Sequence, residues 1–299
     1  LRALSPLSPE RSIVIVGHQR EAVEEAVAPY NVSCVVQEEQ NGTGHAALCA
    51  EAALDGFNGN VMILCGDSPL LQTEHLKAMI VQHNQSGTPV TIMTTSLEVP
   101  TNYGRIISSD TGKVLAVVEE KDASDSQRRI KEINAGIYCV NKEFLFSALK
   151  QVTTDNSQGE MYMTNIVAIA VKAGIEVNKY EHPHPDDVLG VNSRVELSKA
   201  QGELQARKNL ELMGQGITIV NPLTTSIGPD VHIAENCHIE QNVVISGQSV
   251  IDRGCVIGPN VCIHDAQIGE GVAIGANSVI SNCMVEKGRQ IEPLSRIDA

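Results

Sequence analysis

Residues 35–67 read VVQEEQNGTGHAALCAEAALDGFNGNVMILCGD. A β-branched pair leads into a polar turn and a loop interrupted by Gly42 and Gly44. An Ala-rich helix follows, and then an apolar run, VMIL, that stops at Cys65-Gly66-Asp67. A helix between two strands, with small residues where the chain turns, is the pattern of an open α/β sheet. In such sheets ligands sit beyond the carboxyl ends of the strands, so the 37–44 loop and Asp67 are expected on the rim of one pocket.

Upstream, residues 12–16 predict a strand and 19–28 a helix with Ala22, Val23, Ala26 and Val27 on one face. A doubly wound sheet normally starts with a strand and its phosphate-binding loop. Nothing of that kind precedes residue 12, so the first βα unit is expected to be missing from this sequence. Downstream, helices are predicted over 73–83, 142–151, 160–173 and 193–213, and strands over 90–95, 133–140 and 177–180. A hairpin is predicted around Asp110-Thr111-Gly112. This alternation predicts an α/β domain with a mostly parallel sheet over residues 1–214.

After Gly214 the period changes. Isoleucine recurs every six residues from Ile227 to Ile263; the register slips by one to Ile268, Ile274 and Ile280, and again to Val285, Ile291 and Ile297. No α-helix has that period. It marks a hexapeptide parallel β-helix of about four coils over 215–299, each branched residue pointing into a triangular prism. Cys237 and Cys255, three hexapeptides apart, are expected to stack on one face as packing residues rather than as a metal pair.

Composition narrows the function class. With 42% apolar and 19% charged residues the 299-residue chain suits a soluble protein of two domains, and with no Trp and three Phe its core must be aliphatic. A net charge of −14 opposes non-specific binding to nucleic acid or an anionic membrane. It leaves room for a small phosphate-bearing ligand neutralised locally. The eight cysteines form no CxxC pair and the nine histidines no metal spacing, 182–185 (HPHP) reading as a loop. Buried free thiols in a reducing, cytoplasmic setting fit this pattern, and no signal peptide or apolar run of about 18 residues interrupts it.

The motifs QEEQNGTGHA (37–46), CGDSPLL (65–71), NYGRI (102–106), VVEEKDAS (117–124), EINAGIY (132–138), SQGEMYMTNIV (157–167) and GVNSRVEL (190–197) occur in that order, ahead of the hexapeptide tail. Together they closely resemble the bacterial bifunctional N-acetylglucosamine-1-phosphate uridyltransferase/glucosamine-1-phosphate acetyltransferase family, over nearly the whole chain. The resemblance implies a Rossmann-like nucleotidyltransferase domain followed by a left-handed β-helix that assembles as a homotrimer. It also implies an Mg²⁺-dependent uridylyltransferase making a peptidoglycan precursor from UTP and N-acetylglucosamine 1-phosphate, with no nucleic acid or membrane partner.

It further implies that Asp67 and Asn192 hold Mg²⁺ and act as catalytic residues. Gln37, Gly42 and Thr43 would receive the uracil, and Gly104, Glu119 and Asn134 the sugar. His45 is expected only to pack or to cap its helix. The pattern is broken in three places. The family's glycine-rich N-terminal loop with its Pro-Lys pair is absent; Cys65 stands where a Tyr is usual and Asn165 where an Asp is common; and the acetyl-transfer residues belong to later coils, so acetyltransferase activity is not expected of this chain. A non-catalytic nucleotide-sugar-binding scaffold, or a transferase for a different sugar 1-phosphate, stands as the alternative.

Overall fold

A computed structural model describes residues 1–298. The chain divides into two compact units, Leu1–Val191 and Asn192–Ala299. The sequence expectation drew the boundary after residue 214; the long helix before that point clusters with the solenoid.

In the first unit the order is β1 (Ile13–Val16), α1 (Arg20–Val27), β2 (Ser33–Val36), α2 (Thr43–Cys49), β3 (Asn60–Ile63), α3 (Thr73–Ser86), β4 (Val90–Ser96), β5 (Arg105–Ser108), β6 (Val114–Val118), α4 (Asp125–Arg128), β7 (Glu132–Asn141), α5 (Lys142–Leu149), α6 (Asn165–Lys172) and β8 (Asn178–Glu181). β1 and β2 pair in parallel as a two-stranded sheet. In the larger sheet β7 is central, antiparallel to β3, β4 and β5, while β4 runs parallel to β8 and β6 antiparallel to β5. β3, β4, β5 and β8 therefore share one direction, and β6 and β7 run against them. The reversal at β7 is what the sequence pattern did not reveal.

Alternation along these strands sorts side chains to two faces. Val90 and Ile92 of β4 and Tyr138 and Val140 of β7 pack with Leu145, Leu149, Ile166 and Val167 of α5 and α6. Met93 of β4 and Ile137 and Cys139 of β7 pack with Leu76 and Met79 of α3. The result is helix, sheet, helix. At about 25 cal/mol per Å² of apolar surface removed from water, each of these fully buried aliphatic side chains contributes about 2 kcal/mol.

α6 is shorter than the 160–173 helix the sequence predicts. The stretch before it spends its backbone groups elsewhere: Met161 N–H donates to Asn41 O at 2.8 Å, and Gly44 N–H donates to Met161 O at 2.7 Å. A segment pinned in this way cannot also form the first turn of a helix.

The second unit opens with α7 (Arg194–Gly214), N-capped by Ser193, whose hydroxyl accepts from Glu196 N–H at 3.2 Å. Three parallel sheets of five, four and five short strands follow, from Thr218–Ile219 to Arg296–Asp298, as a hexapeptide left-handed β-helix. The solenoid gains a strand beyond the isoleucine series because Ile219 stacks on Ile239. Ile227, Ile245, Ile263, Ile280 and Ile297 form one column and Ile233, Ile251, Ile268 and Val285 another, nearly all fully buried.

The corners take left-handed backbone at Asn236, Asn242, Asn260, Asn277, Asn282 and Leu294, among others. Asn tolerates that conformation where most residues do not. Cys237 and Cys255 do stack, each buried, each one residue ahead of the paired positions His238 and Val256. α7 packs on the first coil. Leu212 joins its core, Gln205 Oε1 accepts from Ile227 N–H at 3.0 Å, and the fully buried Asn209 donates through Nδ2 to Pro222 O at 2.8 Å and Thr225 O at 3.0 Å.

Candidate active site

The residues expected on the uracil side lie on one locked loop. Gln37 directly follows β2, and its Nε2 donates to Gly42 O at 3.2 Å and lies 3.0 Å from His45 Nδ1. That leaves Oε1 as the open acceptor of the amide. Thr43 Oγ1 accepts from Met163 N–H at 3.1 Å. Gly42 has φ +103°, and a Cβ there would meet Met161 O at 2.6 Å. Backbone approach at this point requires glycine twice over, by conformation and by space.

The three residues expected at the sugar come together from β5, β6 and β7. Asn134 N–H donates to Gly104 O at 2.8 Å, and a Cβ on Gly104 would lie 3.4 Å from Glu119 Oε2. Glu119 Oε1 accepts from Thr164 Oγ1 at 3.0 Å, and burial raises its carboxyl above the usual range against the pull of that hydrogen bond. Asn134 Nδ2 donates to the buried Tyr138 hydroxyl at 2.8 Å, and its Oδ1 accepts from Gly136 N–H at 3.2 Å. Burial and the Glu119 carboxylate raise the Tyr138 phenol well above its ordinary value, so it stays protonated. Thr164 and Tyr138 were not read from the sequence. Hydroxyls in SQGEMYMTNIV and EINAGIY were the only trace of them.

Cys65 borders the same wall. Its thiol approaches Gly136 O at 3.6 Å, and a Cβ on Gly136 would lie 3.0 Å from that sulfur. Burial around the thiol, and secondarily the Asp67 carboxylate, push it up to about 11, although the residue as a whole is exposed. Asp67 is exposed, and its carbonyl accepts from Val191 N–H at 2.8 Å. Asn192 is the first residue of the second unit, and its N–H donates to Glu196 Oε2 at 2.7 Å.

Away from this wall, the ligand atoms of His75, His182 and Asp187 lie within 4.8 Å of one another. No local spacing marks this cluster, because α3 and the 182–187 loop are far apart in the chain. Asp187 Oδ2 accepts from Gln72 Nε2 at 2.7 Å, and His75 Nδ1 is 3.0 Å from Tyr180 OH. His182 Nδ1 accepts from His184 N–H at 3.1 Å, and burial, then His75, lower its basicity. The neutral ring then carries its hydrogen on Nε2, so neither nitrogen offers a free lone pair to a cation. A cavity of about 350 Å³ opens beside His182, between Thr95 and Pro185, and none of the expected site residues lines it.

A family profile described as nucleotidyl transferase matches residues 5–190, and one described as GMPPB C-terminal domain matches 226–299. The chain is 44% identical over 296 residues to the bifunctional protein GlmU of Desulfotalea psychrophila, covering 99% of this chain and 87% of that protein. It belongs to the GlmU family of nucleotidyltransferases. GlmU relatives from Geotalea uraniireducens and an Exiguobacterium species are each 41% identical, over 95% and 98% of this chain. The chain spans 63% and 65% of their lengths, less than two thirds. The match over residues 5–190 assigns a nucleotidyl transferase domain to that part of the chain. No helix among its described residues is long and apolar enough to cross a membrane.

Proposed function

We propose that this protein joins UTP to N-acetylglucosamine 1-phosphate, releasing pyrophosphate and UDP-N-acetylglucosamine. The observation that carries the reading is the convergence of Gly104, Glu119 and Asn134 at one wall. A carboxylate acceptor, a carboxamide that donates and accepts, and a bare backbone approach suit sugar hydroxyls and an acetamido group. Gln37 Oε1 accepts from uracil N3–H, and the Gly42 loop admits the ring.

A phosphate oxygen of the sugar phosphate attacks the α-phosphorus of UTP in line; the new P–O bond forms as the bond to pyrophosphate breaks. The chain's residues act by holding the two substrates in that line. Asp67 would hold Mg²⁺, whose charge would neutralise the phosphates. A carboxylate oxygen suits this hard ion, and the space Gly190 leaves beside Asp67 Oδ2 keeps that carboxylate uncrowded.

The test measures pyrophosphate release with UTP or dTTP against a panel of sugar 1-phosphates, with Mg²⁺ and with EDTA. Release with UTP and N-acetylglucosamine 1-phosphate, abolished by Asp67→Ala, is expected. Silence with every sugar phosphate overturns the enzyme reading, and UDP-N-acetylglucosamine binding without turnover establishes a scaffold. Cys65 at the sugar wall favours one second reading, a transferase for a different sugar 1-phosphate, which the same panel separates. We place the reaction in the cytoplasm, where its soluble substrates are made. The β-helix is the proposed trimerisation element, and light scattering is expected to give about three times the 32.1 kDa chain mass.

A further inference from the structure

Among the described residues the largest fully buried side chain carries a charge. Arg105 is 2% exposed; its Nη2 donates to Glu120 Oε2 at 2.6 Å and to Arg128 O at 3.4 Å, and its Nη1 donates to Tyr103 O. Its Nε finds no partner among the described residues. Glu120 is held from its other side as well, with Arg128 Nε 3.8 Å from Oε1 and both Nε and Nη2 donating to Glu120 O at 3.4 Å. Such a pair is a poor way to gain stability, because desolvating a guanidinium offsets most of its attraction to a carboxylate and an apolar residue of like volume serves the core as well. Its position in the sheet suggests a different use.

Arg105 lies opposite Val118 on β6 and opposite Ile133 on β7. The chain neighbours of these three residues are Gly104, Glu119 and Asn134, the whole of the sugar-side set. The ion pair therefore joins the residue after Gly104 to the residue after Glu119, at the one place where β5, β6 and β7 meet. A planar fork making several fixed hydrogen bonds sets a distance between two strands more tightly than an apolar contact can.

We infer that Arg105 and Glu120 form a positioning pair that fixes the spacing of Gly104, Glu119 and Asn134 and so governs affinity for the sugar half of the ligand without touching it. The nucleotide half, held by the 37–44 loop, is indifferent to the pair. This rests on the proposed function.

The experiment compares UDP with UDP-N-acetylglucosamine by calorimetry, in the full chain and in Arg105→Met, Arg105→Lys, Glu120→Gln and Glu120→Ala. The unaltered protein is expected to bind the sugar nucleotide at least ten-fold more tightly than UDP. Arg105→Met and Glu120→Ala erase that ratio while UDP affinity stays within two-fold, and Arg105→Lys, which keeps the charge without the fork, restores part of it. Glu120→Gln keeps the shape of a side chain that is 26% exposed, so it folds even if Arg105→Met does not, and it too lowers the ratio. Equal losses for both ligands, or an unchanged ratio in Glu120→Gln and Glu120→Ala, overturn the inference. Equal affinity for the two ligands in the unaltered protein overturns the sugar-wall reading itself, and is seen before any variant is made.

Discussion

A methyl group on Gly190 would sit 2.8 Å from Oδ2 of Asp67. The backbone of Gly190 is not in the left-handed region, so alanine is tolerated there by conformation and excluded only by the carboxylate. Gly190→Ala is expected to swing Asp67 aside. Turnover in the proposed reaction should fall at least ten-fold, about 1.4 kcal/mol of transition-state stabilisation, while the melting temperature stays within a few degrees. Unchanged turnover would show that the Asp67 carboxylate has no fixed place in the reaction.

Gly42→Ala acts differently. The new Cβ would lie 2.6 Å from Met161 O at φ +103°, so strain and collision add. Destabilisation of about 2 kcal/mol is expected from the backbone alone, with uridine affinity falling in parallel. Calorimetric melting and UTP titration check the two effects separately.

Glu119 makes stability depend on pH. Burial raises its folded-state carboxyl above the ordinary glutamate value of about 4.5. Its contribution is thus fully present below pH 4.5 and is lost as pH rises through the folded value. Glu119→Gln should melt at a higher temperature than the unaltered protein at pH 7 and lose that advantage at pH 4. The same variant should bind UDP-N-acetylglucosamine no better than UDP. An advantage that is equal at both pH values refutes the carboxyl assignment.

Leu294 occupies a rung meant for asparagine. Asn242 donates through Nδ2 to Asn260 Oδ1 at 3.0 Å, and Asn260 to Asn277 Oδ1 at 3.1 Å. Leu294, whose N–H donates to Ala276 O, takes the next corner at φ 63° with 79% of its surface exposed. Leu294→Asn should stabilise the solenoid by about 1 kcal/mol, because Asn accepts left-handed backbone more readily and can extend the ladder. Urea unfolding at constant m-value is the measurement.

These residues show what the sequence could and could not disclose. The isoleucine columns were legible because a period of six belongs to one architecture, and each Ile performs one task. The reversal of β7 was not: a run buried on both faces, such as IYCV over 137–140, looks the same whichever way it points. Gly42, Gly104 and Asp67 could be named because motifs mark them. Thr164, Tyr138 and the His75–His182 contact depend on pairings between distant segments, and nothing local marks a hydroxyl or an imidazole as bound for such a meeting. The shortened α6 has the same cause, since its helical pattern is overridden by the Asn41 and Gly44 backbone.

The seating of α7 on the first coil gives the solenoid a fixed zero mark. With Gln205 on the amide of Ile227 and Asn209 on the carbonyls of Pro222 and Thr225, the edge of the 226–227 strand is already occupied and offers no template to a further strand. Stacking can be extended or trimmed in the other direction, each strand resting on the strand one turn before it. Length becomes a setting that can change stepwise while the origin from which it is measured stays in place.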